Sequence, residues 1–266
     1  MKTRAITGFF FVLVLLAAVL FSAYAFSIFF LIVALLSQAE FYKMITSDQI
    51  KPQVIGGLVL GAVVFSLSIM VTLFAIPSKL LLLVIPFAIG IYLLELYKKN
   101  THPFLNIALT FFGLIYAVLP FIFFYKLGFL MQDYQYSYPL SFLLLLWTND
   151  TGAYLVGKQF GKHKLFERHS PKKTWEGFIG GLVLSVLVAI VIHHYFGGLT
   201  VFQWIGVGLI ISIFGTMGDL TESMLKRSLQ VKDSGSLLPG HGGLLDRFDG
   251  LLVAAPLVYV FLKLLI

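Results

Sequence analysis

Residues 223–249 read SMLKRSLQVKDSGSLLPGHGGLLDRFD. This stretch is a dense island of acids, bases and glycines, and it lies between two long apolar segments, 201–218 and 250–266. Ionisable groups beside hydrocarbon are costly and are retained mainly where they act. Acids in such a place hold a divalent cation, while lysine, arginine and glycine-rich backbone hold phosphate oxygens. The two together at a membrane boundary imply phosphate chemistry on a lipid.

The flanking composition sets the fold class. The chain is 59% hydrophobic and 12% charged, against about 45–50% and about 25% in an ordinary globular domain. The expected class is therefore all-α, a polytopic membrane protein. With no cysteine, disulfides and thiolate metal sites are excluded. Oxygen and imidazole ligands remain, which favour a hard cation such as Mg²⁺. The net charge of +7 is explained by topology, and no nucleic-acid partner is expected.

A spanning helix needs about 20 apolar residues. Nine segments qualify: 5–21, 24–37, 54–75, 80–97, 103–124, 138–156, 177–196, 201–218 and 250–266. The first two form one run broken only by Ser22-Ala23-Tyr24 and Ser27, so one long helix or two short ones fit equally. Lys2 and Arg4 ahead of Ala23-Tyr24-Ala25 resemble a signal peptide, but a second apolar stretch follows at once, and cleavage is not expected. With nine spans, only Lys79, Lys126 and Lys263 of the 19 basic residues fall on the far side. That asymmetry places the N-terminus and the charged loops in the cytoplasm. The expected organisation is a scaffold of about five spans over 1–137 and a catalytic membrane region over 138–266, with cytoplasmic loops 157–176 and 219–249.

Three clusters carry chemistry. Asp219, Glu222 and Lys226 share one face if helical; a solvated helix end is the alternative. Asp246 and Asp249, three apart at the mouth of the last span, share a face if helical and converge with Asp219 on a cation if the last two spans pack that way; pairing with Arg247 and Lys226 is the alternative. Mg²⁺ needs only one or two protein carboxylates, with water and substrate phosphate completing its shell. Between them, Lys232 to Gly243 forms a glycine-rich loop whose N–H groups suit phosphate, with His241, Gly242 and Gly243 at its end and Lys226, Arg227, Lys232 and Arg247 as counter-charge. Residues 170–177, Ser-Pro-Lys-Lys-Thr-Trp-Glu-Gly, place Lys172 and Lys173 before the seventh span; Pro171 is expected to open that helix with Ser170 near its cap. Membrane anchoring by the two lysines is an equally good reading. In the sixth span, Asp150 reads as a buried site acid; a structural hydrogen bond to Asn149 or a neighbouring helix is the alternative.

The long pattern Ser223-x₂-Lys-Arg-x₄-Lys-Asp-x-Gly-x₂-Leu-Pro-x-His-Gly-Gly-x₂-Asp-Arg-x-Asp249 closely resembles the signature of phosphatidate cytidylyltransferases, the CDP-diacylglycerol synthases. Asp150-Thr-Gly-Ala-Tyr154 and Ser170 to Gly177 resemble further family blocks, so the likeness covers about the last 120 residues. It implies an integral enzyme of the bacterial cytoplasmic (inner) membrane whose active site faces the cytoplasm. The implied reaction joins CTP and phosphatidic acid to give CDP-diacylglycerol and pyrophosphate with Mg²⁺, in a homodimer. Under it Asp219 and Asp246 are metal ligands, and Asp249 and Glu222 are additional ones. Lys226, Arg227, Lys173, Lys172, Lys232 and Arg247 bind phosphates. Ser170, Asp150 and His241 orient substrate, and a second cation is left open. A CTP-dependent lipid kinase is the alternative enzyme. A transporter for an anionic solute is the alternative of another class, disfavoured because the charge gathers at one face rather than the midplane.

Overall fold

The computed structural model describes residues 2–266, with side chains from residue 6. Helices stand at all nine expected places: α1 (Lys2–Phe21), α2 (Ala23–Ile45), α3 (Val54–Leu73), a 3₁₀ turn Ser78–Leu83 leading into α4 (Val84–Leu96), α5 (Pro103–Gly113) continued through a π turn Leu114–Val118 into α6 (Leu119–Leu127), α7 (Ser137–Phe160), α8 (Trp175–Phe196), α9 (Val201–Ser228) and α10 (Leu245–Leu265). Among the described residues, seven helical segments are long and apolar enough to cross a bilayer. They begin at Ala23, Val54, Ser78, Pro103, Trp175, Val201 and Leu245. The apolar part of α1, Ile6–Phe21, is shorter, and α7 is diluted by Asn149, Asp150, Lys158 and Gln159. Seven spans, not nine, are supported on length and hydropathy.

Of the two readings open for the first apolar run, the structure has two helices: Ser22 is extended and its side chain accepts from Ala25 N at 3.1 Å, which stops α1 and starts α2. The fold is mostly helical, with one addition: β1 (Lys164–Phe166) and β2 (Ser170–Thr174) form an antiparallel ribbon. Ser170 and Pro171 therefore lie on a strand rather than at a helix start. In a two-stranded ribbon every strand is an edge, so the missing N–H of Pro171 is tolerated there. The cap is Thr174, whose hydroxyl accepts from Gly177 N at 3.2 Å. Finally, the 219–249 segment is a loop only in part, since α9 runs to Ser228 and α10 starts at Leu245.

The chain divides into two compact units, Met1–Gln132 with Asp233–Arg247, and Asp133–Lys232 with Phe248–Ile266. In the first, Phe26, Phe30, Phe65, Phe121, Phe124 and Tyr125 are fully buried and meet in tilted and edge-on pairs at ring separations of 4.8–6.3 Å. Polar networks tie its helices together. Gln38 donates to Tyr42 Oη and Gly57 O, and Tyr42 donates to Thr110 O at 2.6 Å. Glu95, 2% exposed, accepts from Gln53, Asn100 and Asn106, so this buried acid is satisfied as such groups must be.

In the second unit α7 lies on α8 at close range. A methyl group on Gly181 would stand 2.6 Å from Asn149 O, and one on Gly177 2.6 Å from Ala153 O. Small residues let backbones approach where lipid offers no hydrophobic drive between helices. A capping box of Thr200 and Gln203 starts α9. Trp204 is buried near its N-terminus, stacked on Tyr138 and donating to Gly197 O at 3.1 Å.

Candidate active site

In the second unit a cavity of about 340 Å³ opens among α7, the ribbon and α9. Its wall includes Asn149, Asp150, Tyr154, Lys158, Lys172, Lys173, Thr216 and Asp219. The ribbon explains how both lysines reach it. Pairing of Lys164 with Thr174 and of Phe166 with Ser170 carries the segment back toward α7 just before α8 begins.

Lys173 Nζ stands 2.5 Å from Asp219 Oδ2, with both side chains partly open to solvent. Ser223 donates to the other oxygen of Asp219 at 3.3 Å. One turn further on, Lys226 Nζ meets Glu222 Oε2 at 2.7 Å, and Glu222 is only 1% exposed. On α10, three residues beyond Asp246, Asp249 lies in the electrostatic field of Asp219, Glu222 and Asp150. Asp249 thus feels the charge of three carboxylates on α7 and α9, of which Asp219 and Glu222 each pair with a lysine. Such like-charge crowding is relieved by a cation.

Among the described residues no three His, Asp or Glu side chains are already closed into a metal cage. The donor chemistry nevertheless fits a hard ion. All four candidate groups are oxygen ligands, and Mg²⁺ keeps several water or phosphate positions open. Asn149 Oδ1, buried beside Asp150, has no hydrogen-bond partner and supplies a further neutral oxygen at the cavity wall.

The first unit holds the glycine-rich loop. Asp246 Oδ2 accepts from Ser234 N at 2.9 Å, Ser234 Oγ at 3.0 Å and Gly243 N at 2.8 Å. Gly240 and Gly242 have φ of 78° and 86°, a region that a side chain strongly disfavours. With their help Leu238 and Gly242 pair across the turn. Arg247 donates to His241 O at 2.9 Å, bracing the loop from the helix that follows it.

The sequence pattern of the cytidylyltransferase family matches residues 2–265. The chain belongs to this family. Among relatives named phosphatidate cytidylyltransferase, the protein of Staphylococcus aureus (strain COL) is 44% identical over 166 residues. That of Staphylococcus haemolyticus (strain JCSC1435) is 43% identical, and that of Staphylococcus epidermidis (strain ATCC 12228 / FDA PCI 1200) 40%. Each alignment spans 62% of this chain and 62% of the relative's length.

Set against this family frame, the expected site residues sort by unit. Asp150, Lys172, Lys173 and Asp219 share the cavity wall, with Glu222, Lys226 and Asp249 adjoining Asp219. Asp246, His241, Gly242, Gly243 and Arg247 build the loop of the first unit. Ser170 sits at the ribbon's turn opposite Phe166, outside the cavity wall. Arg227 and Lys232 are exposed. Sequence reasoning missed Lys158 and Thr216, which line the cavity, and Glu40, whose Oε2 accepts from Leu245 N at 3.1 Å. The last had a signal: Glu40 is the first acid in the chain and lies in an apolar helix, where an ionisable group calls for a reason.

Proposed function

We propose that this chain is a multi-pass enzyme that transfers the cytidylyl group of CTP to phosphatidic acid, releasing pyrophosphate. The observation that carries the reading is the second-unit cavity, in which Lys172 and Lys173 share a wall with Asp150 and Asp219. Family membership and the names of the relatives support it. The asymmetry of basic residues supports a cytoplasmic-facing site, in the inner membrane of a bacterium. Homodimerisation remains the proposal that the family likeness implies.

The reaction forms a bond between a lipid phosphate oxygen and the α-phosphorus of CTP and breaks the α–β phosphoanhydride. Attacker and leaving group are both anions, so charge is the main barrier. The attacking phosphate is largely ionised already and needs no strong base. Positioning and electrostatic stabilisation supply the catalysis. Lys173 and Lys172 bind phosphate oxygens in the cavity. In the same unit Lys226, Arg227 and Lys232 add counter-charge; in the first unit the N–H groups of the glycine-rich loop, with Arg247, suit phosphate oxygens. In the second unit Asp219, with Glu222 and Asp249, is assigned to hold Mg²⁺; in the first unit Asp246, whose orientation the three loop donors fix, is likewise assigned as a metal ligand. When bound, that ion neutralises phosphate charge as a Lewis acid. Asp150 and His241 orient substrate.

The test uses purified protein, phosphatidic acid, Mg²⁺ and CTP labelled at either the α- or the γ-phosphate. The reading expects α-label in the lipid and γ-label in pyrophosphate. γ-Label in the lipid, with release of CDP, would assign a kinase instead.

A further inference from the structure

Glu40 lies on α2, far in sequence from every motif of the site, yet it is built into the loop that Asp246 organises. Its side chain is buried, at 9% exposure. Oε2 accepts from Leu245 N, the first residue of α10, at 3.1 Å. Two residues earlier the N–H of Gly243 is taken by Asp246. The two carboxylates therefore hold neighbouring donors at the exit of the loop, and they sense each other's charge.

The loop is shaped around this side chain. A methyl group on Gly243 would stand 2.5 Å from Glu40 Oε2, and one on Gly235 would stand 2.6 Å from Oε1. Gly235 is thus required by Glu40, and Gly243 by Glu40 together with Ser234, whose Oγ lies nearer still. Oε1 is buried with no hydrogen-bond partner, an arrangement that costs about 1–3 kcal/mol. A residue serving only to fill space would be apolar and would avoid that penalty.

We propose that Glu40 is a positioning residue for the cytidylyl transfer, fixing the glycine-rich loop and, through it, the orientation and charge environment of Asp246. The inference rests on the reading of Asp246 as part of the active site. Outer partners of this kind change metal affinity or activity by about 10–100-fold when removed.

The experiment uses the full chain in detergent or lipid, comparing wild type, Glu40→Gln, Glu40→Asp and Asp246→Asn. Melting temperature, kcat/KM for CTP and the Mg²⁺ concentration at half-maximal rate are measured for each. Glu40→Gln keeps the shape and an acceptor for Leu245 N but removes the charge. It is expected to melt near wild type, lose about 10–100-fold in kcat/KM and need more Mg²⁺. Glu40→Asp, which keeps the charge, recovers part of the Mg²⁺ response. A space-filling role would lower the melting temperature of both variants and leave the Mg²⁺ response of the folded enzyme unchanged. That result, or wild-type kinetics in Glu40→Gln beside an inactive Asp246→Asn, would overturn the proposal alone. Wild-type turnover by Asp246→Asn would instead overturn the reading of the site.

Discussion

Lys173 Nζ and Asp219 Oδ2 are joined across the cavity wall at 2.5 Å, although 46 positions apart in sequence. The side chains are 26% and 38% exposed. A partly solvated pair of this kind contributes about 0–1 kcal/mol to stability. Under the proposed function the pair serves substrate rather than the fold. Asp219→Asn should therefore abolish pyrophosphate release while shifting the melting temperature little. Lys173→Met should lower kcat/KM by about 10²–10³, the scale of losing one preorganised stabilising donor. Steady-state kinetics beside a detergent melt separates the two effects, and full turnover by Asp219→Asn would remove it from the metal site.

Lys226 and Glu222 differ from that pair in burial, with side chains 15% and 1% exposed. Removing one partner of a buried pair leaves the other charge poorly compensated, at a cost of about 3–5 kcal/mol. Lys226→Ala is expected to lower both stability and activity. Lys226→Met combined with Glu222→Gln should regain much of the stability without regaining the activity. A double variant no more stable than Lys226→Ala would show that charge compensation is not what Lys226 supplies to the fold.

Metal dependence follows from the crowding of Asp150, Asp219, Glu222 and Asp249. Chelation should stop turnover, and added Mg²⁺ should restore it fully. Turnover that persists at saturating chelator would contradict the assignment.

Two glycines offer a contrast in packing. On Gly181 a methyl group would press against backbone and side-chain oxygens of Asn149, while on Gly90 it would meet nothing within 4 Å. Gly181→Ala should destabilise by about 1–3 kcal/mol and reduce activity, because Asn149 adjoins Asp150. Gly90→Ala, in the interior of α4, should stabilise by about 0.4–1 kcal/mol. Melting curves in one detergent would show the opposite signs.

The sequence by itself determined the membrane class, the nine helical places and the family, because hydropathy, turn chemistry and motif residues are local properties. It also carried the i, i+4 spacing that pairs Glu222 with Lys226. Only the tertiary structure decided that Ser170 and Pro171 run in a ribbon. Strand pairing depends on the partner segment Lys164–Phe166, and local propensity alone does not choose it. Only the tertiary structure joined Lys173 to Asp219 and set Glu40 against Gly243, since which distant segments meet is fixed by the packing of whole helices.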